Sequence, residues 1–269
     1  MLTVLLNLVL PLIAGAVYFV MAFEIKRVSA MRKFMFGEIG YNKVFTAFML
    51  FGIYFATRPL QNLAAHPWPM LVNSLRQSFL MAIIAPSILV GIFHWVPREK
   101  GAFKSADIAA FTVGCLMAAI FIMINISAVT GSKVIASFGT IKLYDPMWFA
   151  DAIPRPELVV IHLIAQLISP VGFFLLAAGY VRHRRHNYPL SHIYTNMTLK
   201  WKYLETGLLL FAISMIVAGL AALLGKYYTY LWVIYFLAAV VAGLFELKGV
   251  TIPPVHVPTD LDESARTRI

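Results

Sequence analysis

The chain has 269 residues, of which 61% are hydrophobic and only 13% charged, about half the charged fraction of an ordinary soluble domain. That balance excludes a soluble globular fold and points to an integral membrane protein. The formal net charge of +10 then reads as a basic face toward anionic lipid, not as a nucleic-acid footprint, and the one cysteine, Cys115, excludes an internal disulfide.

Crossing a bilayer takes about 20 consecutive apolar residues. Seven stretches qualify, at about 2–23, 43–61, 70–95, 107–130, 157–181, 203–225 and 227–247. None alternates with period two, which excludes a β-barrel. Backbone groups in lipid must be bonded internally, so the spans are expected to be helices. The first begins at Met1 without a basic leader or a small-residue cleavage site before EIKR, and is expected to be retained.

With the N-terminus outside, the inner segments carry Lys26, Arg27, Arg32, Lys33 and Lys43; Arg98, Lys100 and Lys104; Arg182, Arg184, Arg185, Lys200 and Lys202; and Lys248, Arg266 and Arg268. That is 16 of the 22 Lys and Arg residues, so the positive-inside rule places the N-terminus outside and the C-terminus in the cytoplasm. The expected fold is an all-α integral membrane bundle of seven transmembrane helices over residues 1–248. The polar tail, 249–269, is expected to be extended or disordered.

In chain order, the first inner segment, EIKRVSAMRKFMFGEIGYNK, has the spacing of an interfacial helix or a plain basic anchor. HPWP at 66–69 makes a stiff turn before the third span. Ser105 and Asp107 are N-cap candidates for the fourth. The longest outer segment, about 131–156, holds two apolar runs, VIASF and TIKLY, that predict a hairpin. DPMWF, just after them, could dip into the interface, and this segment as a whole is the lid candidate. The third inner segment, RHRRHNYPLSHIYTNMTLKWK, is strongly basic, and Arg182, Arg184 and Arg185 in it are candidates for docking a protein partner. GKYY joins the last two spans, which must pack antiparallel. Pro86 and Pro170 are hinge candidates. The paired interrupted helices of an inverted-repeat transporter are not visible.

Strongly polar residues gather in the outer half. Asn73, Arg76 and Gln77 share one face of the third span at i, i+3 and i+4, with Arg76 about 10 Å inside Pro69 at 1.5 Å per residue. His162, Gln166 and Ser169 share a face of the fifth at matching depth. Asn125, Arg58, Gln61 and Asn7 lie toward the same side. The inner half has mainly Glu205 and Glu246, for which salt bridges to the basic loops suffice. One reading is a site for a small polar or anionic ligand, with Arg76 and Arg58 as anion partners and Asn73, Gln77, Asn125, His162 and Gln166 orienting the ligand. The other is structural: Arg76 pairs with Asp145, Asp151 or Glu157, Arg58 snorkels to headgroups, and the amides bridge helices.

No chemistry-bearing motif competes. His94 and His162 lie at opposite depths, which argues against a b-type haem. His183, His186 and His192 are interleaved with arginines, which weakens a cation site. HExxH, GxSxG, CxxC, P-loop and dinucleotide fingerprints are absent. The middle of the seventh span, LWVIYFLAAVVAGLF, has no lysine for a retinal Schiff base. No cofactor, metal or catalytic residue is expected.

In helix number, N-out orientation, long second outer loop and outward-facing polar residues, residues 1–248 resemble the seven-helix membrane sensor region at the N-terminus of bacterial histidine kinases and related receptors. The resemblance implies a sensor in the bacterial cytoplasmic (inner) membrane. Those sensors continue into an output domain; none is expected within the tail at 249–269, so a signal is expected to pass to a partner at the basic inner segments or the tail. Two further readings are an accessory or anchoring subunit of a membrane complex, and a transporter or channel.

Overall fold

The computed structural model describes residues 5–31, 38–95, 104–128, 131–146, 156–187, 196–224 and 230–252. The helices are α1 (Leu10–Met31, entered through a π-helical turn, Leu5–Val9), α2 (Glu38–Ala56), α3 (Trp68–Phe79), α4 (Ala85–Trp95), α5 (Lys104–Ala128), α6 (Pro156–Gln166), α7 (Phe173–Asn187), α8 (Met197–Leu224) and α9 (Tyr230–Thr251). A 3-10 turn, Pro59–Asn62, follows α2, and strands β1 (Ser132–Phe138) and β2 (Ile141–Pro146) form an antiparallel hairpin, as the VIASF and TIKLY runs predict. Gly139 supplies the positive φ of its turn.

Six helical segments are long and apolar enough to cross a membrane: Leu5–Val28, Trp68–His94, Ser105–Ser127, Val160–Asn187, Met197–Ala221 and Tyr230–Thr251. They give a helical membrane bundle whose surface exposes Val20, Ile108, Leu176 and Leu237, the apolar exterior that lipid requires. The predicted second span, 43–61, is instead the 19-residue helix α2 with its end displaced toward the chain start. Its Val44, Ala47, Phe48, Phe51 and Phe55 are buried.

Helix α1 packs on α2 and α9, α2 on α4, α4 on α7, α7 on α8 and α8 on α9, which closes a ring; α5 and α6 lie against α3, α4 and α8. Aromatic rings fill the centre. Phe51 and Phe211 stack at 5.1 Å and 8°, Phe174 and Phe211 at 5.2 Å, and Tyr18 and Phe55 at 5.2 Å. Offset ring pairs of this kind add about 0.5–1.5 kcal/mol each beyond their buried area.

Two of the spanning segments are interrupted, which the sequence reading did not anticipate. A π-helical turn, Leu80–Ile84, separates α3 from α4, and another, Leu167–Gly172, separates α6 from α7. Both lie at the hinge candidates. Pro86 sits in the first turn of α4, where its missing N–H costs little. Ser169 is extended (φ −139, ψ 118), the conformation that Pro170 imposes on its predecessor. The interruptions meet: the Ser169 hydroxyl donates to the Met81 carbonyl at 2.9 Å. α5 crosses the same point at Gly114, where a Cβ would lie 2.5 Å from that carbonyl.

At the end opposite the hairpin, two boundaries move. α7 runs to Asn187 and α8 starts at Met197, so Arg182, Arg184 and Arg185 stand on a helical extension, not in a loop. Cations in a last turn suit the negative end of the helix dipole. Asp107 lies inside the first turn of α5 and bonds His94 at 2.6 Å. The part of the lid-candidate segment beyond Pro146, up to residue 155, and the tail beyond Ile252 lie outside the described residues.

Candidate polar site at the hairpin end

Helix α2 ends at Ala56, and the last carbonyls of a helix lack intrahelical partners. Here three of them, on Ile53, Tyr54 and Phe55, find one. Thr57 bonds Ile53 O at 2.7 Å through its hydroxyl, and Arg58 N bonds Phe55 O at 3.0 Å. The Tyr54 carbonyl receives the guanidinium of Arg76 from α3, with Nε at 3.0 Å and Nη2 at 2.8 Å. Arg76 Nη1 donates to Gln61 Oε1 at 3.1 Å, and the guanidinium lies 4.5 Å from the Tyr54 ring centroid. Gln77 donates to the Tyr54 hydroxyl at 3.0 Å. Arg76 is thus buried, 4% exposed, and its donors serve a helix end, a glutamine and an aromatic face.

Of the acidic partners considered for Arg76, Glu157 is exposed in the first turn of α6, while the Asp145 side chain and Asp151 lie outside what the structure describes.

Arg58 extends the cluster. It is half-buried, 4.7 Å from the Trp232 ring on α9, and donates to Asn7 Oδ1 at 3.5 Å, the long end of a hydrogen bond. Arg58, Arg76, Tyr54 and Tyr235 lie within electrostatic reach of one another. Two cations therefore share this end of the bundle, and neither has an ion pair among the described residues.

Buried donors are left over beside them. Arg58 Nε, Asn73 Nδ2 and both polar atoms of the Asn62 side chain have no hydrogen-bond partner, and Asn62 and Asn73 are each 2% exposed. An unsatisfied buried polar group costs about 1–3 kcal/mol, so each of these atoms calls for an explanation. Strand β2 packs on both the 3-10 turn that carries Asn62 and the start of α3. Ser132 of the hairpin accepts a bond from His66 N at 2.9 Å. The hairpin thus roofs the cluster.

The other site candidates are held elsewhere. Asn125 on α5 donates to Met70 O at 3.1 Å and to the Ser74 hydroxyl, which ties α5 to α3 beside Asn73. His162 lies 5.1 Å from the Phe121 ring. Gln166 donates to Met215 O at 3.0 Å and lies over Gly219, which ties α6 to α8. Arg76 and Gln77 gather with Tyr54 and Gln61, Arg58 lies within electrostatic reach, and Asn73 is buried one turn earlier on α3; His162 and Gln166, level with them by sequence depth, make their contacts on α5 and α8. Asn62 was missed in the sequence because its only signal is adjacency to Gln61 after a span end.

At the opposite end, Glu205 pairs with Arg185 at 2.7 Å and with Arg182 at 4.0 Å. Arg184 bonds the Tyr180 hydroxyl at 3.1 Å. The same salt-bridge expectation fails for Glu246, which is buried with no ion pair among the described residues: its stem packs against Gly207 where α8 meets α9. No group of three or more His, Cys, Asp or Glu side chains able to hold a metal occurs among the described residues. Among known proteins, no family model, curated protein or solved structure matches this chain.

Proposed function

We propose that this chain is a seven-helix sensor of the bacterial cytoplasmic membrane, N-terminus outside and C-terminus inside, that binds a small anion beneath the outer hairpin. One observation carries the reading: two arginines with no carboxylate partner among the described residues accompany the buried Asn62 side chain and the buried Asn73 Nδ2, none of which has a hydrogen-bond partner there. A carboxylate or phosphate oxygen accepts from such donors, and a guanidinium presents them in a fork. Arg76 positions the site by holding the end of α2. Arg58, Asn62 and Asn73 supply the unused donors.

The aromatic stack across the bundle centre favours a sensor over a conduit, because it interrupts any polar path. Anion binding would draw α3 and the 3-10 turn together. The joined interruptions in the two broken segments would pass the shift to the inner end. There Arg182, partly exposed, and its neighbours Arg184 and Arg185 would meet an acidic protein partner.

The test is thermal unfolding of the purified protein in detergent, titrated with phosphate, sulfate and succinate. One of them should raise the melting temperature saturably, and Arg58→Ala and Asn62→Ala should abolish the rise. If no anion does so, or both variants respond as the native chain does, the reading is wrong. A stoichiometric membrane partner co-purifying in mild detergent would favour the accessory-subunit reading instead.

A further inference from the structure

Glu246 lies in α9, where that helix crosses α8 and packs on α1. It is 2% exposed, and its Oε1 has no hydrogen-bond partner. The crossing is shaped around its stem. A Cβ at Gly207 on α8 would lie 2.6 Å from Glu246 Cγ and 3.0 Å from Glu246 N and Ala242 O. Only glycine leaves room there for a glutamate side chain.

Charged and titratable groups of the surrounding helices have partners of their own or are exposed. From α1, the Tyr18 hydroxyl donates to Ala239 O at 2.6 Å. From α8, Glu205 pairs with Arg185 and Arg182, and Lys200 Nζ donates to Val250 O at 3.3 Å. On α9 itself, Lys248 is exposed and Tyr235 lies three turns away, toward Arg76. No cation faces the Glu246 carboxyl among the described residues.

An ionised carboxylate in that position is an uncompensated buried charge, costing several kcal/mol, and intramembrane carboxyls that persist at such cost mark ion or proton sites. A bound metal ion needs several oxygen ligands. The Tyr18 hydroxyl, within electrostatic reach of Glu246, is already spent as a donor, and the neighbouring carbonyls belong to helix ladders. The proton is the one cation that needs no further ligand. We propose that Glu246 is a reversible proton-binding site in the membrane interior, and that its proton keeps α9 seated against α8 and α1.

Infrared spectra of the protein in phosphatidylcholine vesicles test this directly. At neutral pH the native protein should show the carbonyl stretch of a protonated carboxylic acid. That band should shift when glutamate is carbon-13 labelled at Cδ, vanish in Glu246→Gln, and disappear reversibly at alkaline pH. Replacing sodium by choline at fixed pH should leave it unchanged. Absence of a glutamate-derived protonated band in the folded native protein overturns the proposal. So does a band that survives in Glu246→Gln, or one that sodium removes. Should Glu246→Gln fail to fold, Glu246→Asp is used instead: loss of the labelled glutamate band with a new protonated aspartate band supports the site, and persistence of the labelled band refutes it.

Discussion

The Arg76 guanidinium closes the last turn of α2 by donating twice to the Tyr54 carbonyl, at 3.0 and 2.8 Å. An arginine on one helix thus performs the capping that a following residue usually performs on its own helix. Removing it strips the Tyr54 carbonyl and Gln61 of buried partners. Arg76→Ala should destabilise the protein by about 2–4 kcal/mol, from charged hydrogen bonds worth roughly 1.5–3 each. Arg76→Lys should recover less than half, since an ammonium cannot fork onto one carbonyl and stack on the ring. Thermal unfolding in detergent, where the two are ranked against the native chain, checks this; equal stability of Lys and Arg would sink the capping role.

Asn62 separates stability from binding. Its amide has no partner in the unliganded protein, so Asn62→Leu removes a group whose burial costs about 1–3 kcal/mol. The variant should melt higher than the native protein without anion. It should lose the anion-dependent rise described above. A variant less stable than native in both conditions would show that Asn62 is structurally bonded.

Gly207 and Gly219 mark close helix contacts. A methyl at Gly207 meets backbone atoms of α9 at 3.0 Å, and one at Gly219 meets Gln166 Oε1 at 2.7 Å. Overpacking costs about 1–3 kcal/mol. Gly207→Ala should lie at the upper end, because backbone cannot yield. Gly219→Ala should lie lower, because the Gln166 side chain can swing away from Met215 O. Unfolding midpoints of the two variants should differ in that order.

Ser169→Ala deletes the hydroxyl that joins the two interrupted segments. Inter-helix hydrogen bonds inside membranes average about 0.6 kcal/mol, so stability should barely change. Hydrogen exchange of the amides at 80–84 and 167–172 should instead rise. Unaltered exchange would mean that the interruptions are held by packing alone.

Orientation is tested by single cysteines placed in a Cys115→Ser background. Lys142→Cys in the hairpin should react with a membrane-impermeant maleimide on intact cells. Lys202→Cys should react only after permeabilisation. The opposite pattern would invert the topology and place the arginine cluster on the cytoplasmic side.

The long helices were legible because their apolar runs are long and unbroken, and the hairpin because VIASF and TIKLY flank a turn glycine. The face relation of Asn73, Arg76 and Gln77 also followed from spacing alone. Their partners did not. Arg76 bonds a backbone carbonyl, and a carbonyl has no letter in a sequence. The interruptions were visible only as prolines, because a π-helical turn changes hydrogen bonding without changing composition. Glu246 looked like a salt-bridge residue because depth along a helix is readable from sequence and the direction it faces is not.

Composition and periodicity by themselves determined that this is a helical membrane protein with its polar residues concentrated toward one end, since hydrophobic transfer scales with what each residue is. Only the tertiary structure decided which of those residues meet: that Arg76 holds the Tyr54 carbonyl and Gln61, that His162 and Gln166 make their contacts elsewhere, and that Glu246 has no ion pair among the described residues. Those outcomes depend on how helices rotate and cross, and close packing, steered here by Gly114, Gly207 and Gly219, sets that rotation.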